Sequence, residues 1–179
     1  MNMKRLLAVF FAGTGLIAMP LAAQSLAPSA AVPDADGTIG TGEYSWKTEQ
    51  KGAFLYFSLS ADGSVLYAAV DSPAPGWAAV GLGSKGMNGA FMVLASDDGT
   101  KQEISEQTGK MFSHSVNSEK ILTAGAVKQS GGRTVLEFAV PAAQFVKNGK
   151  IDAIAAWAKK TSFTTKHSNR LSLTVPVQN

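Results

Sequence analysis

Apolar residues come along this chain in short bursts spaced by about ten positions. The bursts are Ala53 to Ser60 (AFLYFSLS), Ser64 to Asp71, Gly76 to Gly83 (GWAAVGLG), Ala90 to Ser96, Arg133 to Val140, Ile151 to Ala158 and Leu171 to Val177. Each is fenced by Gly, Asp, Asn or Ser, which predicts strands separated by turns; a helix would need a 3.6-residue period sustained over ten or more positions. In the burst from Arg133, Leu136, Phe138 and Val140 alternate with Val135, Glu137 and Ala139, the period of a strand. Asp62-Gly63 predicts a hairpin between the first two bursts, because such a pair tolerates the positive φ of a tight turn. Asp36-Gly37 and Gly40 to Glu43 read as a turn leading into Tyr44 and Trp46. Helical candidates are few: Pro141 to Lys147, with proline at the permitted first position, has room for a turn or two. The expected architecture is an all-β sandwich of seven or more strands.

Residues 1–33 stand outside this pattern. Lys4 and Arg5 precede an apolar run from Leu6 to Met19, and Pro20-Leu21-Ala22-Ala23 offers a small-residue cleavage site. This layout is that of a secretory signal peptide over residues 1–23. The apolar run is about 14 residues long, short of the roughly 20 that cross a bilayer, so no transmembrane segment is expected after cleavage. Gln24 to Pro33 is Ala/Ser/Pro-rich and reads as a flexible lead-in, leaving 34–179 as one domain. The expected location is periplasmic or secreted.

Composition narrows the chemistry. The 179 residues include no cysteine and two histidines, which removes disulfides, thiolate nucleophiles, cysteine-held zinc, iron–sulfur clusters and thioether-attached haem. Loss of Lys4 and Arg5 with the leader would remove two of the three units of net positive charge. No run of five like charges occurs and basic residues do not interleave with aromatics, so nucleic acid is not an expected partner. No phosphate-binding glycine loop and no Gly-x-Ser-x-Gly elbow are present, and neither histidine has the context of a catalytic triad. A non-enzymatic module is expected.

The segment Gly76-Trp77-Ala78-Ala79-Val80-Gly81-Leu82-Gly83, continuing to Gly86-Met87-Asn88-Gly89-Ala90, carries the most information. A strand with glycines at both ends leads into a loop centred on Met87. Glycines on either side remove Cβ bulk, so a flat ligand can approach the backbone with the Met87 thioether aimed at it; the other reading of Met87 is a filler of core space.

These residues resemble the DOMON family, whose pattern is Gly-Trp-x-x-x-Gly followed by Met-x-Gly. Asp36-Gly37-Thr38-Ile39-Gly40-Thr41-Gly42-Glu43-Tyr44 is similar to the opening of bacterial members, and the run from Arg133 to Phe138 with a late histidine extends the likeness over roughly 34–177. The resemblance implies a β-sandwich of about ten strands. It implies a non-covalent haem b held between Met87 and His167, and service in electron transfer with an unidentified redox partner protein. Met/His ligation fills both axial positions and raises the reduction potential. Trp77, Leu82, Phe91, Trp157 and Phe163 are expected to wall the porphyrin, and Arg170 to pair with a propionate. His114 is an alternative ligand to His167, and Lys159, Lys160 or Lys166 a further one, since related haem domains pair methionine with lysine.

Two other functions remain open at this level. One is a carbohydrate- or small-ligand-binding module using Trp46, Tyr56 or Trp77. The other is a copper protein using Met87, Met111, His114 and His167, since thioether and imidazole suit Cu(I).

Overall fold

The structure is a computed structural model, described here for residues 24–178. The proposed leader, residues 1–23, lies outside the described residues. Twelve strands form two six-stranded sheets. The strands are β1 (Pro28–Ser29), β2 (Trp46–Gln50), β3 (Ala53–Ser60), β4 (Val65–Ser72), β5 (Ala78–Leu82) and β6 (Phe91–Asp97), then β7 (Gln102–Lys110), β8 (Ser113–Val116), β9 (Ala124–Ser130), β10 (Arg133–Pro141), β11 (Lys150–Trp157) and β12 (Asn169–Pro176). The first sheet runs β1-β3-β4-β10-β9 with β2 also on β3, and the second runs β12-β11-β5-β6-β7-β8. The architecture is the expected β-sandwich. Among the described residues no helix is long and apolar enough to cross a membrane.

Sequence periodicity builds the core directly. Leu55, Phe57 and Leu59 of β3, Leu66 and Val70 of β4, and Leu136, Phe138 and Val140 of β10 project from the first sheet. They meet Val80 and Leu82 of β5, Val93 of β6, and Ile151 and Trp157 of β11, all buried between the layers. The β3–β4 hairpin forms at Asp62-Gly63 as expected, with Gly63 at φ +71°. The Asp62 carboxylate accepts from the Ser60 hydroxyl at 2.6 Å and the Ser64 amide at 3.1 Å, which holds its pKa down at about 2. At Pro141 to Lys147 the helical expectation contracts to one 3-10 turn, Ala142–Gln144.

Five strands carry no apolar burst: β1 and β2, and further along β7, β8 and β9. β1 lies in the stretch read as a flexible lead-in, where Leu26 is fully buried and its amide donates to Pro176 O at 2.7 Å. β8 and β9 are sheet edges, and β8 is exposed along its length. An edge strand with little to bury does not need an alternating apolar face, so composition hides it.

The second sheet differs from the first in being apolar on both faces at its centre. Every residue of β5 is buried. Ala78, Val80 and Leu82 face the core between the sheets, while Ala79 belongs to a separate cluster on the opposite face.

Candidate functional site

Strand register defines that outer face. Ala79 lies beside Leu94 of β6 and Ala156 of β11, and Gly81 lies beside Met92 and Ile154. Trp77, Ala79, Ala90, Met92, Leu94 and Ala158 are buried there, with Met87, Ile154, Ala156 and Phe163 packed half-buried against them. The floor is made of small residues. A Cβ on Gly81 would stand 2.6 Å from Ile154 Cγ1 and 3.2 Å from Met92 Cγ, so glycine lets these two side chains lie across the strand.

A loop stands at each end of this face. At one end, residues 83–90 join β5 to β6 and carry Met87. The Met87 carbonyl accepts from the Ala90 amide at 3.1 Å, and the Gly89 amide donates to the Gly109 carbonyl of β7 at 2.9 Å. A Cβ on Gly109 would stand 2.7 Å from the Met87 carbonyl carbon and 2.9 Å from Met87 Cγ, so the loop rests directly on a glycine of the neighbouring strand. The close approach expected at Gly86 and Gly89 is therefore found at Gly109. Gly89 is needed for its φ of +78°, and a Cβ at Gly86 would meet nothing within 4 Å.

At the other end, residues 158–168 join β11 to β12 and carry His167. The Gly76 amide donates to Ala158 O at 3.1 Å, Trp77 N–H to Lys160 O at 3.0 Å, and Ala158 N–H to Trp77 O at 2.9 Å. The Trp77 indole N–H donates to Thr165 O at 3.1 Å, and the Ser168 amide to Trp157 O at 2.8 Å. His167 is thus held between two anchored positions. Burial pushes its pKa down, and the nearby charges of Arg170 and Lys166 push it further. The neutral imidazole favoured in this way is the form that ligates a metal.

The structure brings the sequence-predicted residues to one face but sorts them. Met87, Trp77, Phe163 and Arg170 are on it: Arg170 pairs with Ala156 across β11–β12 and shares its side of the sheet. Leu82, Phe91 and Trp157 are not. They point into the core between the sheets, because they alternate with Gly81, Met92 and Ala156 along their strands. His114 lies on β8 opposite Gly109, at the Met87 end, so it is beside Met87 and far along the strands from the His167 loop. Met111 is 69% exposed at the β7–β8 turn, and its amide donates to Asn88 Oδ1 at 3.0 Å. Among the described residues no three His, Asp or Glu side chains gather at one point.

The aromatics expected to bind sugars are also sorted. Trp46 and Trp77 are 7% and 5% exposed, fixed by indole hydrogen bonds to Gln24 O and Thr165 O, and offer no open surface platform for a sugar. Tyr56 is half-buried on the outer side of the first sheet, where two shallow cavities of about 350 and 340 Å3 share Tyr56 and Ile39. They lie on the other sheet from Met87 and His167.

No family model and no curated protein sequence matches this chain. Solved structures of similar fold do exist. The cytochrome b domain of pyranose dehydrogenase from Coprinopsis cinerea superposes with a TM-score of 0.59 at 16% identity, over 73% of this chain and 80% of that one. The cytochrome domain of Myriococcum thermophilum cellobiose dehydrogenase superposes with a TM-score of 0.57 at 11% identity, over 74% and 81%. The chain shares the fold of these cytochrome domains.

Proposed function

We propose that this chain is a periplasmic or secreted electron-transfer module, exported by residues 1–23, that holds a non-covalent haem b on the outer face of the second sheet. Met87 and His167 are the proposed axial ligands. One observation carries the reading: the loop that carries Met87 and the loop that carries His167 stand at opposite ends of this apolar face. Ligands on opposite sides of a flat group are what axial coordination requires. The four or so residues between the two loops along β5 span about 13 Å at the rise of a strand.

The residues present fit the group. The donors are a thioether and an imidazole kept neutral by burial and neighbouring cations. Ala79 and Ala156 keep the floor low beside Leu94, while Ile154 and Met92 lie across Gly81 and, with Trp77 and Phe163, make the surroundings apolar. When bound, haem iron with two protein ligands supplies a one-electron couple and no open coordination position. Trp77 positions: its indole and backbone hold the loop on which His167 sits. Gly109 seats the Met87 loop. Arg170, on the same face, is the proposed partner of a propionate.

The test is reconstitution. Haem added to purified protein is expected to bind at one equivalent and give sharp reduced α and β bands, lost in both Met87→Ala and His167→Ala. A visible spectrum identical to free haem would remove the reading.

A further inference from the structure

The β7–β8 hairpin and the Met87 loop form a second constellation, of which the haem reading uses only Met87. His114 Nδ1 is hydrogen-bonded to Gln107 Oε1. Gln107 is 5% exposed, and its own Nε2 donates to Ser105 Oγ at 3.0 Å, which turns its carbonyl oxygen toward the histidine. With Gln107 Oε1 as the acceptor Nδ1 is the donor, and Nε2 is the ring nitrogen turned away from Gln107. An imidazole whose far nitrogen donates to a buried carbonyl oxygen is the arrangement that orients metal-binding histidines.

Two methionines belong to segments that adjoin this histidine. Gly109 is the direct cross-strand neighbour of His114, and Met87 Cγ packs against the space above Gly109. Met111 closes the hairpin, tied by its amide to Asn88, the residue after Met87. It stands at φ +51°, a conformation for which glycine is the usual choice, and it is 69% exposed. Its side chain contributes little to the core and is open to a ligand from solvent.

We propose that Met87 Sδ, Met111 Sδ and His114 Nε2 bind one Cu(I) ion. Two thioethers and one imidazole are a soft donor set without a carboxylate, which favours Cu(I) over harder divalent ions. His167 belongs to the other end of the face and takes no part. The site shares only Met87 with the proposed haem site, so copper and haem exclude one another, but neither proposal depends on the other.

The experiment is anaerobic titration of the purified chain with Cu(I) against the chromophoric chelator bathocuproine disulfonate, with thermal melting of each variant as the fold control. One equivalent is expected to resist the chelator, with affinity falling at least tenfold in Met111→Leu and in His114→Gln and unchanged in His167→Ala. In wild-type protein labelled at the methionine methyl carbons, Ag(I) as a redox-inert surrogate is expected to shift Met87 and Met111 but not the buried Met92. No retained Cu(I), retention indifferent to Met111 and His114, or unshifted Met87 and Met111 methyls would overturn the proposal. Haem uptake unchanged in Met111→Leu and His114→Gln keeps the two readings separable.

Discussion

The Tyr44 hydroxyl donates to Glu137 Oε1 at 2.9 Å, joining the segment that precedes β2 to the middle of β10. The other oxygen of Glu137 accepts from the Gly37 amide at 2.8 Å and the Thr38 amide at 3.0 Å. Beneath it Glu43 closes the turn, accepting from the Asp34 amide at 2.9 Å and the Gly40 amide at 2.6 Å. Asp36 to Tyr44 and the run from Arg133 to Phe138, two stretches far apart along the chain, are therefore two halves of one latch. Tyr44→Phe removes a hydrogen bond to a carboxylate and is expected to destabilise the fold by about 1.5–3 kcal/mol, read by chemical denaturation. Glu137→Ala is expected to destabilise it more, because three donors lose their acceptor together.

The same carboxylate sets a pH dependence. Burial raises the Glu137 pKa, the Glu43 charge adds to the rise, and the bonds from Tyr44, Gly37 and Thr38 offset part of it. A glutamate with a raised folded pKa holds its proton more tightly in the native state than in the unfolded one. Its contribution to stability is complete below the ordinary glutamate range and is lost as pH rises from there through the raised folded value. In Glu137→Gln that decline is expected to vanish from the plot of denaturation midpoint against pH.

His167 works in the opposite direction. Burial first, then Arg170 and Lys166, lower its pKa, so the native state binds its proton less tightly than the unfolded chain. Its contribution is complete above the ordinary histidine range and is lost as pH falls through the lowered folded value. Titration of the ring by NMR is expected to find a midpoint below the ordinary histidine value, and His167→Gln to remove this acid-side slope. A midpoint at or above the ordinary value would contradict the placement of the ring.

Gly76 fixes the approach of Trp77 to the His167 loop. A Cβ there would stand 2.5 Å from Ala158 O and closer still to the Lys160 backbone. Gly76→Ala is expected to destabilise the fold by about 2–4 kcal/mol and to weaken haem uptake through the displaced loop. Gly86→Ala, with nothing within 4 Å of the new Cβ, is expected to stay within about 0.5 kcal/mol of wild type in the same denaturation assay.

The sandwich was legible wherever a strand had a core to face, as in β3, β4 and β10. It was not legible in β7, β8 and β9, whose positions near sheet margins leave them polar. The candidate site was legible in the two loops that border it and not in the face between them. β5 is buried on both faces, so its sequence gives no polar side to tell inward Val80 and Leu82 from outward Ala79 and Gly81. Strand pairing is what turns Leu82, Phe91 and Trp157 toward the core between the sheets. The wiring of His114 to Gln107 and Ser105 had no sequence signal, because it depends on strand register that only pairing of β7 with β8 creates.

The most direct test is the axial ligation of the ferric, haem-reconstituted protein. A near-infrared sulfur-to-iron charge-transfer band is expected in wild type and in His114→Gln, to be absent in Met87→Leu, and to disappear with loss of the low-spin spectrum in His167→Ala. A band that survives Met87→Leu, or a low-spin spectrum indifferent to His167, would show that the two loops do not meet at one iron.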